Sequence, residues 1–140
     1  MGVVVDTSVF TLCERQHWTA IQVGLYIDSL FPAEQIAIPS VVAAELVHGI
    51  YRAKTPEQQA KRDAYIKTLL TSYTVAPFAE NAAWLAGRLR GEQAQAGNTL
   101  PLADSFIAAT ALDLSYSVLT HNIKDFVRIP GLHVIPFTLP

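Results

Sequence analysis

The chain opens on a continuous β-branched run, Val3-Val4-Val5, closed by Asp6. Apolar residues at consecutive positions suit a strand buried on both faces, as in a parallel sheet. Thr7-Ser8 follows and predicts the cap of a short helix. Apolar residues at 18, 21, 25 and 30, with Ala20, Val23 and Ile27 beside them, predict a helix over Trp18–Leu30 that Phe31-Pro32 ends. Ile36-Ala37-Ile38 reads as a second strand, and Ser40 as the N-cap of a helix over 41–53. In Thr55-Pro56-Glu57-Gln58, a cap, a first-position proline and a Gln three residues on from the cap predict a helix reaching about Leu70. Tyr73–Val75 reads as a strand closed by Pro77, and Ala79–Ala96 as a helix stopped by Gly97-Asn98. Pro101 precedes a helix over 102–113, Ser117–Thr120 reads as a strand, and Leu132–Pro136 as a last strand or edge.

Strands alternating with helices imply right-handed crossovers and a sheet covered on both faces. The expected architecture is α/β, three layers deep, with a central, mostly parallel sheet of four to five strands. The 140 residues are expected to form one domain, 1–140. Hydrophobic residues make up 51% of the chain, yet no charge-free apolar run reaches membrane-spanning length, so no transmembrane helix is expected. Met1-Gly2 leads straight into a strand without a basic segment, so no secretory signal is expected. Cys13 is the single cysteine, which excludes an intrachain disulfide and fits a reducing, cytoplasmic compartment. A net charge of −2 advertises no basic nucleic-acid surface.

Charge placement is more informative than charge count. Asp6 ends the first strand, Glu45 interrupts Val41-Val42-Ala43-Ala44 and Leu46-Val47, Asp104 opens Ser105-Phe106-Ile107, and Asp125 follows the strand at 117–120. A carboxylate among apolar neighbours is costly unless paired or bound to a cation. Each has an ordinary explanation alone: Asp104, and partly Glu45, would complement a helix N-terminus, Asp6 could cap a helix, and Asp125 could be a solvated loop residue. In parallel sheets, however, ligands bind beyond the carboxyl ends of the strands, where all four are expected to converge. Oxygen ligands without His or Cys suit Mg²⁺, with Mn²⁺ as the alternative. Such an ion activates water, polarises a phosphoryl oxygen and neutralises developing charge, a combination best used in phosphodiester hydrolysis. Bound cations would also let an acidic protein meet a phosphate backbone.

Four segments resemble the motifs of PIN-domain proteins, and they span nearly the whole chain. They are Val-Val-Val-Asp6-Thr7-Ser8, Ser40-Val-Val-Ala-Ala-Glu45-Leu46-Val-His-Gly49-Ile50, Ala103-Asp104-Ser-Phe-Ile107-Ala108-Ala109-Thr110-Ala111, and Leu119-Thr120-His121-Asn122-Ile-Lys-Asp125-Phe126 with Gly131-Leu132 beyond. Within that family the VapC-type toxins, small ribonucleases paired with an antitoxin, are most similar. The resemblance implies a PIN-like fold and Asp6, Glu45, Asp104 and Asp125 as catalytic acids. It makes Asp6 and Asp104 direct metal ligands, with Glu45 and Asp125 acting directly or through water. Ser8, Thr120 and Asn122 carry over as supporting polar residues. The resemblance further implies an RNA substrate, with tRNA the leading candidate, a cognate antitoxin and a homodimer. Attack by metal-activated water needs no ribose 2′-hydroxyl and would leave 5′-phosphate and 3′-OH ends. His121 and Ala43 depart from the family's usual Asn or Arg, and Thr, without removing a carboxylate.

Rival readings are a PIN-like domain acting on DNA, a catalytically silent partner-binding module, and a phosphatase with Asp6 as nucleophile. The phosphatase often carries a second Asp where Ser8 stands. Among lesser candidates, His48 shares a helix face with Glu45 and could orient it, with helix-surface packing the favoured reading, while Lys54, Lys61, Arg62 and Lys67 read as a solvated, salt-bridged face. Arg15, Arg88, Arg90, Lys124 and Arg128 are candidate phosphate contacts, and Trp18, Tyr26, Phe31 and Tyr51 a candidate partner groove or core packing.

Overall fold

The computed structural model describes all of residues 1–140. Five strands, β1 (Gly2–Val5), β2 (Gln35–Pro39), β3 (Thr74–Ala76), β4 (Ser117–Thr120) and β5 (Val134–Pro136), form one sheet in the order β3-β2-β1-β4-β5. Every neighbouring pair is parallel, so the expectation of a mostly parallel sheet of four to five strands resolves to a fully parallel one of five. Six helices flank it: α1 (Thr7–Arg15), α2 (Ala20–Leu30), α3 (Ser40–Tyr51), α4 (Pro56–Ser72), α5 (Glu80–Gln95) and α6 (Leu102–Leu114). No helix is long and apolar enough to cross a membrane.

The β-branched run explains the centre of the sheet. Val3, Val4 and Val5 are all buried, as a central parallel strand between two helical layers requires. Phe10, Ile27, Ile38, Leu69, Ile107, Leu119, Phe126 and Phe137 close the core on either side. The strand order then positions the site. The chain moves from β1 outward through β2 to β3, then returns to the far side of β1 as β4. The carboxyl ends of β1 and β4 therefore border the point where the winding reverses, where such sheets open a crevice.

Several local expectations shift by a residue or a turn. Asp6, rather than Thr7-Ser8, occupies the N-cap position of α1, which runs nine residues and is not short. Ser40 is the first helical residue of α3 and Pro39 its N-cap, with no side-chain capping bond. Thr19 caps α2 in a reciprocal box with Gln22, leaving Trp18 outside the helix. At α4 the Thr55 hydroxyl accepts from Gln58 N–H as expected, but the Gln58 side chain accepts from Lys54 N–H. The α5 stop is a Schellman turn: Gly97 has φ of 83° and Asn98 N–H donates to Gln93 C=O at 2.8 Å.

The solvated-face expectation holds for the exposed Lys54, Lys61 and Lys67 and not for Arg62, which is part-buried between helices. Lys67 pairs with Asp63, while Arg62 pairs with Glu14 and donates to Gly49 C=O. Trp18 and Tyr26 stack edge to face, as do Tyr26 and Phe137, and the Tyr26 hydroxyl donates to Thr138 C=O, so these aromatics serve packing.

Tyr73 Oη is the one buried side-chain polar atom without a hydrogen-bond partner. Burial is also the main cause pushing its phenol up to about 12. An unpaired buried hydroxyl forgoes its bonds to water at a cost of roughly 1–3 kcal/mol. Tyr73→Phe is therefore expected to raise stability by about 1 kcal/mol, read as a higher urea midpoint. A lower midpoint would mean that the hydroxyl has a partner.

Candidate metal centre

Asp6 follows the last residue of β1, and its N–H donates to Leu119 C=O of β4. Although it stands at the N-cap of α1, its side chain makes no capping bond. Instead Asp6 Oδ2 accepts from Ser8 Oγ at 2.7 Å and from Thr120 Oγ1 at 2.8 Å. Those hydroxyls accept in turn from His121 N–H and Asn122 N–H, both at 3.0 Å. Each hydroxyl has one proton, already directed at Asp6, so the 3.2 Å approach of Ser8 Oγ to Thr120 Oγ1 is a contact enforced by the shared acceptor. The two hydroxyls fix one oxygen of Asp6 and leave Oδ1 without a protein hydrogen bond.

The other acids come from three directions. Asp104 lies in the first turn of α6, as expected. Glu45 is the sixth residue of α3, one turn deeper than the opening turn assigned to it. Its Oε1 accepts from Thr7 Oγ1 at 2.6 Å, so Thr7, and not His48, orients it. Asp125 sits in the loop after β4. The burial argument from sequence holds fully for Asp6 alone, 6% exposed; Asp104 and Asp125 are half-buried and Glu45 is exposed.

Electrostatics tie the four together. The Asp104 carboxyl is pushed up to about 7, first by burial, then by the charges of Asp6 and Asp125, a hydrogen bond to Asp125, and Glu45. A hydrogen bond between two carboxyl groups exists only when one holds a proton. Burial and the neighbouring charges therefore both favour the neutral form of Asp104.

Donor chemistry and geometry bear on a cation differently. Four carboxylates with no His or Cys suit a hard ion such as Mg²⁺. No three His, Cys, Asp or Glu side chains converge closely enough to form a ligand cage. Mg²⁺ ordinarily takes one or two carboxylates and keeps several waters, so an open acidic edge with Asp6 Oδ1 uncommitted and Asp104 engaged only with a neighbouring acid fits it. Ser8 and Thr120 sit where sequence placed them, beside Asp6. Asn122 contributes its main chain, since its side chain makes no hydrogen bond. Local sequence offers Thr7 only a capping role, and its pairing across 38 residues with Glu45 leaves no trace in local pattern. His121 Nδ1 lies 3.2 Å from Phe137 C=O, so the ring is held by the C-terminal segment.

This fold and acidic edge define a class, and comparison places the chain in it. The PIN domain model matches residues 3–132, so the chain belongs to the PIN-domain family. Ribonuclease VapC1 of Rickettsia felis is 32% identical over 135 residues, covering 96% of either chain. The tRNA(fMet)-specific endonuclease VapC of Salmonella typhimurium is 28% identical over 71% of this chain and 74% of its own. The crystal structure of Rickettsia felis VapBC2 bound to a promoter DNA fragment superposes with a TM-score of 0.85 at 27% identity, covering 99% of this chain and 100% of its counterpart. Within the PIN family the chain is thus a nuclease of the VapC type.

Proposed function

We propose that this chain is the toxin of a toxin–antitoxin pair, a Mg²⁺-dependent endoribonuclease that leaves 5′-phosphate and 3′-OH ends. The observation that carries the reading is the acidic edge at the ends of β1 and β4, where Ser8 and Thr120 hold one oxygen of Asp6 and leave Oδ1 free, and it is supported by the Asp104 carboxyl, raised by burial and by the charges of Asp6, Asp125 and Glu45. A divalent ion bound there supplies a water nucleophile at neutral pH and offsets charge on the scissile phosphate.

The chain's own residues do the positioning. Ser8 and Thr120 hold Asp6 in one rotamer, which aims Oδ1 toward the edge as a ligand. Asp104 would be the second direct ligand, in its ionised form. Thr7 holds Glu45 at the rim, and Glu45 and Asp125 act directly or through ordered water. The names of the relatives support RNA as substrate, and tRNA is the leading target within it. The VapBC assembly of the structural neighbour supports an antitoxin partner, and a homodimer completes the reading. The cytoplasm is the compartment that such a target implies.

The test is induced expression of wild type against Asp6→Ala, with mapping of RNA 5′ ends. Wild type is expected to arrest growth and create new 5′-phosphate ends, and Asp6→Ala to do neither. Equal arrest by both proteins would sink the proposal. Mn²⁺ titration adds a direct reading: no binding by wild type, together with no effect of Asp104→Asn on cleavage, would remove the metal.

A further inference from the structure

A cleft of about 190 Å³ opens beside the acidic edge, between α1, α3 and α4. Thr7 and Glu45, one bond of the metal centre, form one of its walls. Arg15, Arg52, Arg62 and Glu14 are its other charged lining residues, with Thr11 and Tyr65 beside them. Arg62 is committed: Nε pairs with Glu14 at 3.5 Å and Nη1 donates to Gly49 C=O at 3.0 Å, which ties the three helices together. Arg15 ends α1 and Arg52 is the C-cap residue of α3. Neither guanidinium has a carboxylate partner or a hydrogen bond within the chain, and both are exposed.

Two unpaired, exposed arginines at helix ends line one cleft beside a site for phosphate chemistry and are free to take an anion. The cleft is smaller than the roughly 300–1,000 Å³ of small-molecule pockets, which favours a phosphate group over a base and its sugar. Resting on the ribonuclease reading, we propose that this cleft holds a backbone phosphate of the RNA, next to the scissile one, between Arg15 and Arg52. Helix C-termini repel anions, so the guanidinium groups must supply all of the attraction. The arginines therefore set where the strand lies across the acids, and with it which bond is cut. With Arg62 paired to Glu14, Arg15 and Arg52 against Glu45 leave this cleft with an excess of positive charge in a chain of net charge −2.

The plain alternative is that each arginine only complements its helix dipole. Binding of a short single-stranded RNA of mixed sequence separates the two, measured in the Asp104→Asn protein so that cleavage does not consume the probe. Arg15→Gln and Arg52→Gln are each expected to weaken binding roughly fivefold to tenfold at low salt. Each should also reduce the slope of log K against log salt by about 0.7, the value for one single-strand phosphate contact. Lys61→Gln, an exposed unpaired cation on α4, is the control for net charge. Unchanged affinity and slope in the arginine variants, with a lowered thermal midpoint, would leave them as dipole partners and overturn the proposal. An equal loss in Lys61→Gln would overturn it as well. Those failures leave the ribonuclease reading standing if wild type still cleaves RNA, whereas absence of RNA cleavage and binding altogether removes both.

Discussion

Asp104→Asn is expected to abolish cleavage and, in the absence of divalent cations, to make the protein more stable at pH 8. The two effects share one cause. In the folded chain the Asp104 carboxyl titrates near 7, because of burial first and the neighbouring Asp6, Asp125 and Glu45 second. In the unfolded chain it titrates near about 3.9. Between those values the folded state holds the extra proton, so stability falls as pH rises. The contribution is fully present below about pH 4 and is lost as pH passes about 7. At pH 8 the ionised Asp104 is repelled by its neighbours, and an amide of the same shape removes that repulsion. Asn can also donate to Asp125, as the protonated acid does.

Because Asp104 is only half-buried, solvent screens much of this effect, and a gain of roughly 1–2 kcal/mol is expected. It should shrink to nothing at low pH, where wild type is already neutral. Added Mg²⁺ or Mn²⁺ should invert the order, since binding stabilises only the state that holds the ion. Activity should fall by about 10³-fold. Thermal melts with chelator and with Mn²⁺, at pH 5 and pH 8, together with an RNA cleavage assay, test all of it. Retained cleavage would remove Asp104 from the metal, and a melt difference independent of pH would remove the electrostatic coupling.

The parts of this molecule that were legible in the sequence are those set by near neighbours. Val3–Val5 declared a central strand because burial on both faces leaves no room for alternation. Asp6 and Asp104 declared themselves because each adjoins an apolar run that fixes where it lies in the fold. Residue choice at caps was less informative: Ser40 and Pro39 are adjacent, and the proline's extended backbone, not the serine hydroxyl, starts α3. What sequence could not show was contact between distant segments. Thr7 meets Glu45 only because α1 and α3 approach at the sheet edge, and Arg15 and Arg52 line one cleft for the same reason. The resemblance supplied Ser8 and Thr120 as neighbours of the site, yet only the parallel pairing of β1 with β4 explains why residues 112 apart hold the same carboxylate.

That shared carboxylate makes Thr120 the most exacting supporting position. Thr120→Val is expected to destabilise the protein by roughly 1–3 kcal/mol, although the two side chains have nearly the same shape. Thr120 is fully buried at the end of β4. Its hydroxyl donates to Asp6 Oδ2 at 2.8 Å and accepts from Asn122 N–H at 3.0 Å. Valine keeps the volume and removes both bonds, leaving the loop amide unpaired and Asp6 with Ser8 as its only side-chain donor. Asp6 then turns more freely, so its open oxygen no longer has a fixed aim, and metal affinity or activity should fall by about 10–100-fold, as for other groups that hold a ligand in place. Thr120→Ser keeps the hydroxyl and discriminates between the bond and the packing. It should recover most of the activity while leaving a smaller loss of stability from the missing methyl. Denaturant midpoints and Mn²⁺ affinity for the pair decide the matter. If Thr120→Val loses stability but binds Mn²⁺ as tightly as wild type, Thr120 supports the loop and not the ligand. If Thr120→Ser is as inactive as Thr120→Val, the methyl and not the hydroxyl holds Asp6 in place.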